Sequence, residues 1–175
     1  MEIEQTKIQG CLIIRNDVYK DDRGYFHVPF SHSTEESLHF TSFIQDNQSY
    51  STKNTIRGIH FQKLFYEQAK LVRCSYGKVR DVIVDLREGS ETYGEHITID
   101  LEGGDGKSVF VPKGCGHGFS VLSDEAIFDY KVDSPYVKEE EGGIIWNDPT
   151  LNIDWGVSEE DAIVSEKDRE LPLFK

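Results

Sequence analysis

Long hydrophobic runs are missing from this sequence, and basic residues are comparatively few. No apolar stretch approaches the roughly 20 residues that a membrane-spanning helix requires. The 19 lysine and arginine residues are outweighed by 32 aspartate and glutamate residues, which gives a formal net charge of −13. This excess argues against a nucleic-acid backbone or an anionic membrane as the main partner. An anionic small ligand remains compatible, because a local basic cluster can oppose the overall charge.

Cysteine is also scarce. The three cysteines, Cys11, Cys74 and Cys115, are odd in number and have no Cys-x-x-Cys spacing. The sequence therefore predicts neither a disulfide framework nor a structural zinc site. The N-terminus has no basic segment followed by an apolar core, so no signal peptide is expected. Together these features predict a cytoplasmic protein.

Short β-rich segments separated by Gly, Asn, Asp and Ser fill most of the 175 residues. Many short strands at regular spacing, without alternating helices, favour an antiparallel sandwich or a jelly-roll barrel. The clearest predicted strands are residues 42–48, 55–62, 69–76, 78–86, 96–101, 108–111, 118–122, 126–132 and 143–146.

The remaining segments predict flanking structure around one domain of residues 1–175. N-terminal strands are expected over about residues 1–50, a barrel core over about 51–148 and a short helical tail over 149–175. Serines that can act as helix caps predict short helical segments. These segments are residues 33–40, 158–162 and 165–168.

The segment 56–62 and the following Lys70 concentrate polar side chains on predicted strands. Because successive side chains of a strand point to opposite faces, Arg57 and His60 are expected on opposite sides of the sheet. A histidine on the inner face of a barrel strand is a candidate base, since it ionises near neutral pH.

Residues 112–117 read Pro-x-Gly-x-x-His, which resembles the second motif of the cupin jelly rolls. In metal cupins this histidine joins a His-x-His pair and a glutamate from an earlier hairpin. Here that hairpin offers His60, with Gln62 where the second histidine would stand. His60 and His117 alone do not make the three or four ligands of a stable transition-metal site. The sequence therefore predicts an all-β, metal-free, cupin-type jelly-roll barrel.

A longer ordered set of motifs covers nearly the whole chain. Together they resemble the dTDP-4-dehydrorhamnose 3,5-epimerase family. The motifs are Asp22-x-Gly24 with Arg23 and Phe26, Gln45-Asp46-Asn47, Ile56-Arg57-Gly58-Ile59-His60-Phe61-Gln62, Gln68-Ala69-Lys70-Leu71-Val72, Val82-x-Val84-Asp85-Leu86-Arg87-x-Gly89-Ser90, Gly116-His117-Gly118-Phe119-x-Val121-Leu122-Ser123-Asp124, Tyr130-Lys131, Tyr136 and Gly143-Ile144-x-Trp146-Asn147-Asp148-Pro149.

The resemblance implies an isomerase that epimerises a nucleotide-linked 4-keto-6-deoxy sugar, with dTDP-4-dehydro-6-deoxy-D-glucose as the expected substrate. Such a reaction needs a base for the proton beside the ketone, a group that stabilises the enolate, and an acid on the opposite face of the sugar ring. No cofactor is expected, because the ketone itself acidifies the proton.

The same resemblance assigns the catalytic roles. His60 is the expected base, Asp168 the carboxylate that orients it, Lys70 the cation beside the enolate, and Tyr130 the acid across the ring. A positioned histidine can act as a general base near neutral pH. An ammonium group in a water-poor barrel stabilises an oxyanion strongly, and a phenol can donate a proton while neutral at physiological pH.

For substrate binding, the resemblance implies that Arg23 and Arg57 hold the pyrophosphate, for which a planar guanidinium is suited. Phe26 is a candidate stacking surface for the base or sugar, and Gln45 and Asn47 are candidates for polar contacts. The resemblance also implies a homodimer in which the N-terminal segment crosses to the partner, so that Arg23 and Phe26 serve the neighbouring barrel.

Three further residues complete the expectations for the site. His117 is expected to be a buried hydrogen-bonding residue beside it, and Cys115 a small filler between two glycines. Members of the family commonly have a glutamate where this chain has Val28. The loss of that carboxylate leaves the nucleobase open.

Several other functions therefore remain open. They are epimerisation of another 4-keto nucleotide sugar such as a GDP-4-keto-heptose, inversion at C3 alone, a ketoisomerase, a non-catalytic nucleotide-sugar-binding cupin and, least favoured, a metal-dependent enzyme.

Overall fold

The computed structural model describes residues 1–38 and 41–175, most of which lie in short strands and the turns between them. Two short α-helices are present in these residues, α1 (His32–Ser37) and α2 (Glu166–Arg169), together with single turns of 3-10 helix at Leu64–Tyr66 and Lys138–Glu140. The strands are β1 (Glu2–Gln5), β2 (Leu12–Arg15), β3 (Val18–Asp21), β4 (Gly24–His27), β5 (Gln45–Thr52), β6 (Ile56–Gln62), β7 (Lys70–Tyr76), β8 (Lys78–Asp85), β9 (His96–Glu102), β10 (Lys107–Val111), β11 (Cys115–Val121), β12 (Glu125–Val132) and β13 (Glu141–Gly143).

Two antiparallel sheets form a jelly-roll barrel. The larger sheet has the order β1-β2-β10-β7-β12-β5 and the smaller one the order β13-β6-β11-β8-β9. Strands β3 and β4 form a separate hairpin. The predicted all-β jelly-roll class is confirmed. Within the described residues, no helix is long and apolar enough to cross a membrane.

The main hydrophobic core lies between the sheets. Val72 and Phe128 contribute to it from the larger sheet, and Val79 and Ile83 from the smaller one. These side chains are almost fully buried. Because strand side chains alternate between faces, each strand fills this core with every second residue. On the same inward faces, some positions carry polar residues of the candidate site, such as Lys70 on β7 and Tyr130 on β12.

A second hydrophobic core covers the outer face of the smaller sheet and packs the C-terminal segment against the barrel. Ile59 and Val84 pack there against Trp146 and Trp155. The indole nitrogen of Trp155 donates a hydrogen bond to the carbonyl oxygen of Trp146 at 2.7 Å. This packing carries α2 back to β6, where it contributes to the site.

Most predicted strands agree with the observed ones to within a few residues, but two regions differ. Strand β13 ends at Gly143, so most of the predicted strand 143–146 is irregular. Beyond it, the Ile145 N–H bonds the carbonyl of Pro172 in the C-terminal segment. N-terminal strands were expected over residues 1–50, but no individual strand was assigned to β1, because all four of its residues are exposed and show no apolar alternation.

Two of the three predicted helical segments differ from the expectation, and the third agrees with it. Helix α1 ends at Ser37, and residues 39 and 40 of the predicted segment 33–40 lie outside the described residues. The segment 158–162 forms one hydrogen-bonded turn, in which the Ala162 N–H bonds the Ser158 carbonyl. Helix α2 matches the third prediction and begins after Ser165.

Candidate active site

A cavity of about 600 Å³ opens inside the barrel. This volume lies within the usual range for pockets that bind small molecules. Six residues expected at the site line its wall, although the sequence separates them by up to 111 positions (168 − 57). They are Arg57, His60, Lys70, His117, Tyr130 and Asp168.

His60 and Asp168 form a histidine–carboxylate pair in this wall. His60 Nε2 lies 2.7 Å from Asp168 Oδ1, and the second carboxylate oxygen accepts the backbone N–H of Gly58 at 3.3 Å. The backbone N–H of Asp168 donates to Ser165 Oγ at 3.1 Å, which caps α2. If Nε2 carries the hydrogen shared with the carboxylate, Nδ1 presents a lone pair for a ligand proton.

The environment of Asp168 favours its ionised form. Burial by itself would raise the pKa of this carboxyl, but the hydrogen bonds with His60 and with the backbone N–H of Gly58 hold it below its ordinary value. The carboxylate is almost completely buried, whereas the His60 side chain is 30 % exposed. An anionic partner thus orients an imidazole that a ligand can still reach.

The expectation that Arg57 and His60 lie on opposite faces is wrong, because both line the cavity. Strand β11 pairs His117 with His60 and Phe119 with Arg57, so three residue steps along β6 match two steps along β11. The extra residue is a β-bulge, which shifts the alternation by one. Gly58 stands in this bulge with a φ of 116°.

Replacing Gly58 by alanine is expected to destabilise the fold and displace the donor to Asp168. An added Cβ would lie 2.6 Å from Gly118 Cα and 2.7 Å from the His117 carbonyl oxygen. Because the φ is also unfavourable for alanine, we expect the free energy of unfolding to fall by about 2 kcal/mol or more. A thermal melt should then show a Tm lower by roughly 4 °C or more.

Gly89→Ala is the matched control for this substitution. Gly89 has a φ of 84°, and an added Cβ would meet nothing within 4 Å. It therefore tests the backbone effect without the clash. Equal Tm losses in the two variants would contradict the role given to the close approach of β6 and β11.

Lys70 and Tyr130 come from the larger sheet. In the pairing of β12 with β7, Val132 stands opposite Lys70 and Tyr130 opposite Val72. Lys70 and Tyr130 are therefore diagonal neighbours on one face. Lys70 is only 8 % exposed, and burial lowers its pKa to about 8. Burial raises the pKa of the Tyr130 phenol, against a smaller opposite effect of Arg57, so this group remains protonated at neutral pH.

The two sheets therefore bring different functional groups to the cavity. His60 projects from β6 of the smaller sheet, whereas Tyr130 projects from β12 of the larger sheet. A flat ligand between the sheets would have an imidazole on one side and a phenol on the other. The cavity can thus remove a proton from one face of a bound molecule and deliver one to the other face.

Four residues expected at the site are not in the cavity wall. Arg23 lies on the β3–β4 hairpin, where its guanidinium bonds Asp21 at 2.6 Å, and Phe26 on the same hairpin is 64 % exposed. Gln45 and Asn47 lie on the edge strand β5 and bond each other. Asn47 Nδ2 also donates to the carbonyl oxygen of Tyr130 at 3.4 Å, and Asn47 stands opposite Tyr130 in the pairing of β5 with β12, next to the cavity wall.

The structure adds two residues that sequence reasoning missed. Lys167 lines the cavity, and its ammonium lies 2.6 Å from a Glu141 carboxylate oxygen that also accepts the Tyr136 hydroxyl at 2.8 Å. Glu141 belongs to an acidic run that is typical of solvated surface, so composition gave no signal. Lys167 directly precedes Asp168 in the sequence, and this adjacency was the available indication that Lys167 lies at the site.

Gln62, which occupies the position of a metal-cupin histidine, has a structural contact instead. Its Oε1 accepts the backbone N–H of Val137 at 2.8 Å. Among the described residues, no group of three or more His, Cys, Asp or Glu side chains is arranged to hold a metal ion.

Comparison with known proteins gives a consistent family assignment. The family model described as dTDP-4-dehydrorhamnose 3,5-epimerase matches residues 5–175. A dTDP-4-dehydrorhamnose 3,5-epimerase from Escherichia coli (strain K12) is 43% identical over 98% of this chain and 93% of its own length.

Solved structures agree in fold over almost the whole chain. The dTDP-4-dehydrorhamnose 3,5-epimerase of Elizabethkingia anophelis NUHP1 has a TM-score of 0.93 at 44% identity, covering 99% of this chain and 96% of that one. A dTDP-6-deoxy-D-glucose-3,5-epimerase from Legionella pneumophila Philadelphia 1, in complex with dTDP-4-keto-L-rhamnose, has a TM-score of 0.92 at 41% identity, covering 98% and 92%.

Proposed function

The chain belongs to the dTDP-4-dehydrorhamnose 3,5-epimerase family, and we propose that its cavity binds a dTDP-linked 4-keto-6-deoxy sugar and inverts C3 and C5. It is therefore an isomerase. The observation that most supports the proposal is that His60 and Tyr130 face the cavity from opposite sheets. Inversion requires removal of a proton from one face of the ring and delivery to the other, which this arrangement permits.

In the first step, His60 removes the proton from the carbon beside the ketone. Asp168 holds Nε2, so Nδ1 is the atom that accepts the proton. The carboxylate then stabilises the imidazolium that forms, because the two groups are 2.7 Å apart and largely shielded from water.

The electrons of the broken C–H bond move into the ketone and produce an enolate. We assign Lys70 to the enolate oxygen, since a buried ammonium is a strong stabiliser of developing negative charge. No redox change occurs in this step, because the carbonyl already present accepts the electron pair.

Tyr130 then protonates the carbon from the opposite face. Its phenol is kept protonated by burial, so it carries a proton to donate at neutral pH. The carbonyl re-forms with inverted configuration at the carbon. Tyr130 regains a proton and His60 loses one before the second carbon reacts.

Arg57 is suited to hold the substrate pyrophosphate at the edge of the cavity. Its Nε donates to Ser51 Oγ at 3.0 Å and one terminal nitrogen donates to the carbonyl oxygen of Tyr50 at 3.3 Å. These bonds anchor the planar guanidinium, whose remaining N–H groups match phosphate oxygens.

We also propose a homodimer in which the β3–β4 hairpin of one copy completes the cavity of the other. The hairpin exposes aromatic side chains of Tyr19, Tyr25 and Phe26 beside Arg23. Strand β5 is the last strand of its sheet and leaves one edge without a neighbour among the described residues. A hairpin docked at such an edge would bring Arg23 and Phe26 near Gln45 and Asn47.

Mixing two inactive variants tests this exchange. His60→Asn and Arg23→Ala homodimers should each be inactive, whereas hybrids contain one site with an intact His60 and an intact Arg23. Recovered turnover after mixing and reassociation would support the exchange. Absence of recovery, with hybrids demonstrated by native mass spectrometry, would contradict it.

A cytoplasmic location is part of the proposal. Cys11, Cys74 and Cys115 are all buried and unpaired. Burial raises the pKa of each thiol to about 12, which keeps them protonated and unreactive. Such thiols are compatible with a reducing compartment.

The pH dependence of turnover should include the ionisation of Lys70. Because burial lowers its pKa to about 8, the ammonium is present below this pH and is lost above it. We expect kcat/KM to fall as the pH rises through about 8. The descending limb should be absent in Lys70→Met, whose lower activity no longer depends on this proton. A limb that persists in that variant belongs to another group.

A nucleotide panel tests the substrate class independently of turnover. A ligand at a hundred times its Kd stabilises the fold by about 2.7 kcal/mol, and for a chain of this size that raises Tm by roughly 5–10 °C. We expect dTDP to give the largest shift among dTDP, GDP, UDP and CDP. A larger shift with GDP would contradict the dTDP proposal and favour a GDP-linked sugar, which the exposed Val28 leaves open.

A further inference from the structure

The cavity lysine, Lys70, stands at the start of its strand. It is the first residue of β7, which lies between β10 and β12 in the larger sheet. In the loop that precedes this strand, the side chains of Leu64 and Phe65 are exposed to solvent. Strand ends beside segments with few buried contacts open most easily. The position of Lys70 therefore depends on the contacts that hold the beginning of β7.

A carboxylate at the end of β12 makes two of these contacts. Asp133 directly follows Val132, the last residue of β12, which stands opposite Lys70 in the pairing with β7. Asp133 Oδ1 accepts the backbone N–H of Ala69, the residue before Lys70, at 2.7 Å. The backbone N–H of Asp133 donates in turn to the carbonyl oxygen of Ala69 at 3.3 Å. These two bonds join the chains one position beyond the last pair of the β7–β12 ladder.

An ion pair engages the other oxygen of the same carboxylate. Asp133 Oδ2 lies 2.9 Å from Lys113 Nζ, and the two side chains are 11 % and 50 % exposed respectively. Lys113 follows β10, whose last residue, Val111, pairs with Lys70 on the side opposite β12. The ion pair therefore links the two strands that flank β7, across the end at which Lys70 stands.

The bond to Ala69 is the stronger of the two side-chain contacts. A hydrogen bond from a backbone N–H to a carboxylate is charge-assisted, and this one is shielded from water because Ala69 is buried. An ion pair with a half-exposed lysine contributes little by comparison. The acceptor oxygen, more than the ion pair, is therefore expected to determine where residue 69 and the lysine after it lie.

We propose that Asp133 is a positioning residue for Lys70, whose carboxylate holds the start of β7 so that the ammonium reaches the enolate oxygen in the cavity. The role rests on the proposed function, because it acts through the group assigned to that oxygen. Asp133 is absent from the cavity wall and does not touch the substrate. A displacement of about 1 Å at a reacting group can cost about 100-fold in rate, so a backbone bond one residue away is sufficient to matter.

The test compares substitutions of Asp133 in the epimerisation assay. Asp133→Ala removes the acceptor and should lower kcat by about 10- to 100-fold. Asp133→Asn keeps an acceptor oxygen at the same distance from the backbone and should lose at most a few-fold. KM and the affinity for dTDP, measured by calorimetry, should stay within about two-fold of the wild-type values, because the lost interaction serves the reacting centre.

Asp133→Glu separates the position of the acceptor from its charge. It retains the carboxylate but moves the oxygens outward by one methylene group, so it should also lower kcat. It is the second variant if the alanine protein folds poorly. A wild-type kcat in Asp133→Glu would contradict a role that depends on where the acceptor lies.

Asp105→Ala is the matched control. Asp105 also accepts a backbone N–H at the start of a strand, that of Lys107 on β10 at 2.8 Å, and its second oxygen lies 3.4 Å from Lys107 Nζ. It does not line the cavity. This variant should lower Tm as Asp133→Ala does and leave kcat unchanged. Equal losses of kcat in the two variants would assign the effect to reduced stability and overturn the proposal.

The Lys70→Met background identifies the group through which Asp133 acts. If Asp133 acts through the ammonium, adding Asp133→Ala to Lys70→Met should cause no further loss of kcat. The proposal is overturned if the loss persists in this background, if Asp133→Ala retains the wild-type kcat, or if Asp133→Asn loses as much activity as Asp133→Ala. A wild-type protein without epimerase activity would instead refute the proposed function, so the two failures are distinguishable.

Discussion

Replacing His60 by asparagine should lower the rate of proton exchange at C3 and C5 of the substrate by between about 10² and 10⁴-fold, the usual contribution of a positioned general base. Asparagine can retain a hydrogen bond to Asp168 but cannot accept the substrate proton. The measurement is the deuterium content of each carbon, followed by proton NMR in deuterium oxide. Affinity for dTDP, measured by calorimetry, should be retained because the nucleotide contacts are assigned elsewhere.

His96→Asn is the matched control for this experiment. His96 lies on β9 of the same sheet and outside the cavity wall. Exchange should remain within a few-fold of the wild-type rate in this variant. If His60→Asn exchanges as fast as His96→Asn, another group is the base.

Replacing Tyr130 by phenylalanine should separate exchange from inversion. His60 can still remove the proton and return a solvent deuteron to the same face, since its side chain is 30 % exposed and can exchange with water. Inversion should fall by about 10² to 10⁴-fold, because the opposite face has lost its acid. Proton NMR then detects deuterated substrate of unchanged configuration.

The matched control is Tyr93→Phe, which removes a hydroxyl that bonds the carbonyl oxygen of Lys175 far along the chain. Tyr93 is not part of the cavity wall, so inversion should be unaffected. Equal losses of exchange and inversion in Tyr130→Phe would contradict its assignment as the acid, because they would indicate damage to deprotonation as well.

Much of the fold was predictable because its strands alternate apolar and polar residues over five to eight positions. The inward face of β12 follows this rule closely, whereas β8 is buried on both faces from Asp81 to Asp85. The rule fails at β1, where every side chain is exposed, and at Gly58, where one extra residue reverses the faces of β6. A bulge is a property of two paired strands, so the sequence of β6 alone could not reveal it.

The site was predictable only in part, for a similar reason. His60 and Lys70 stood out as polar residues on a predicted hairpin, whereas the charged tail around Asp168 is typical of surface and was singled out by resemblance alone. Glu141 was missed, since its contacts are with Lys167 of α2 and with Tyr136, which the acidic run around it does not reveal. The position proposed for Arg23 depends on a second copy of the chain.

One measurement tests the central claim most directly: incubation of the wild-type protein with dTDP-4-dehydro-6-deoxy-D-glucose in deuterium oxide, with the product analysed by NMR. Removal of protons by His60 and delivery by Tyr130 predict deuterium at both C3 and C5, with the configuration of both carbons inverted. Inversion confined to C3 would contradict the double epimerisation. The absence of deuterium at either carbon, from a folded protein that binds dTDP, would contradict the assignment of the cavity as an epimerase site.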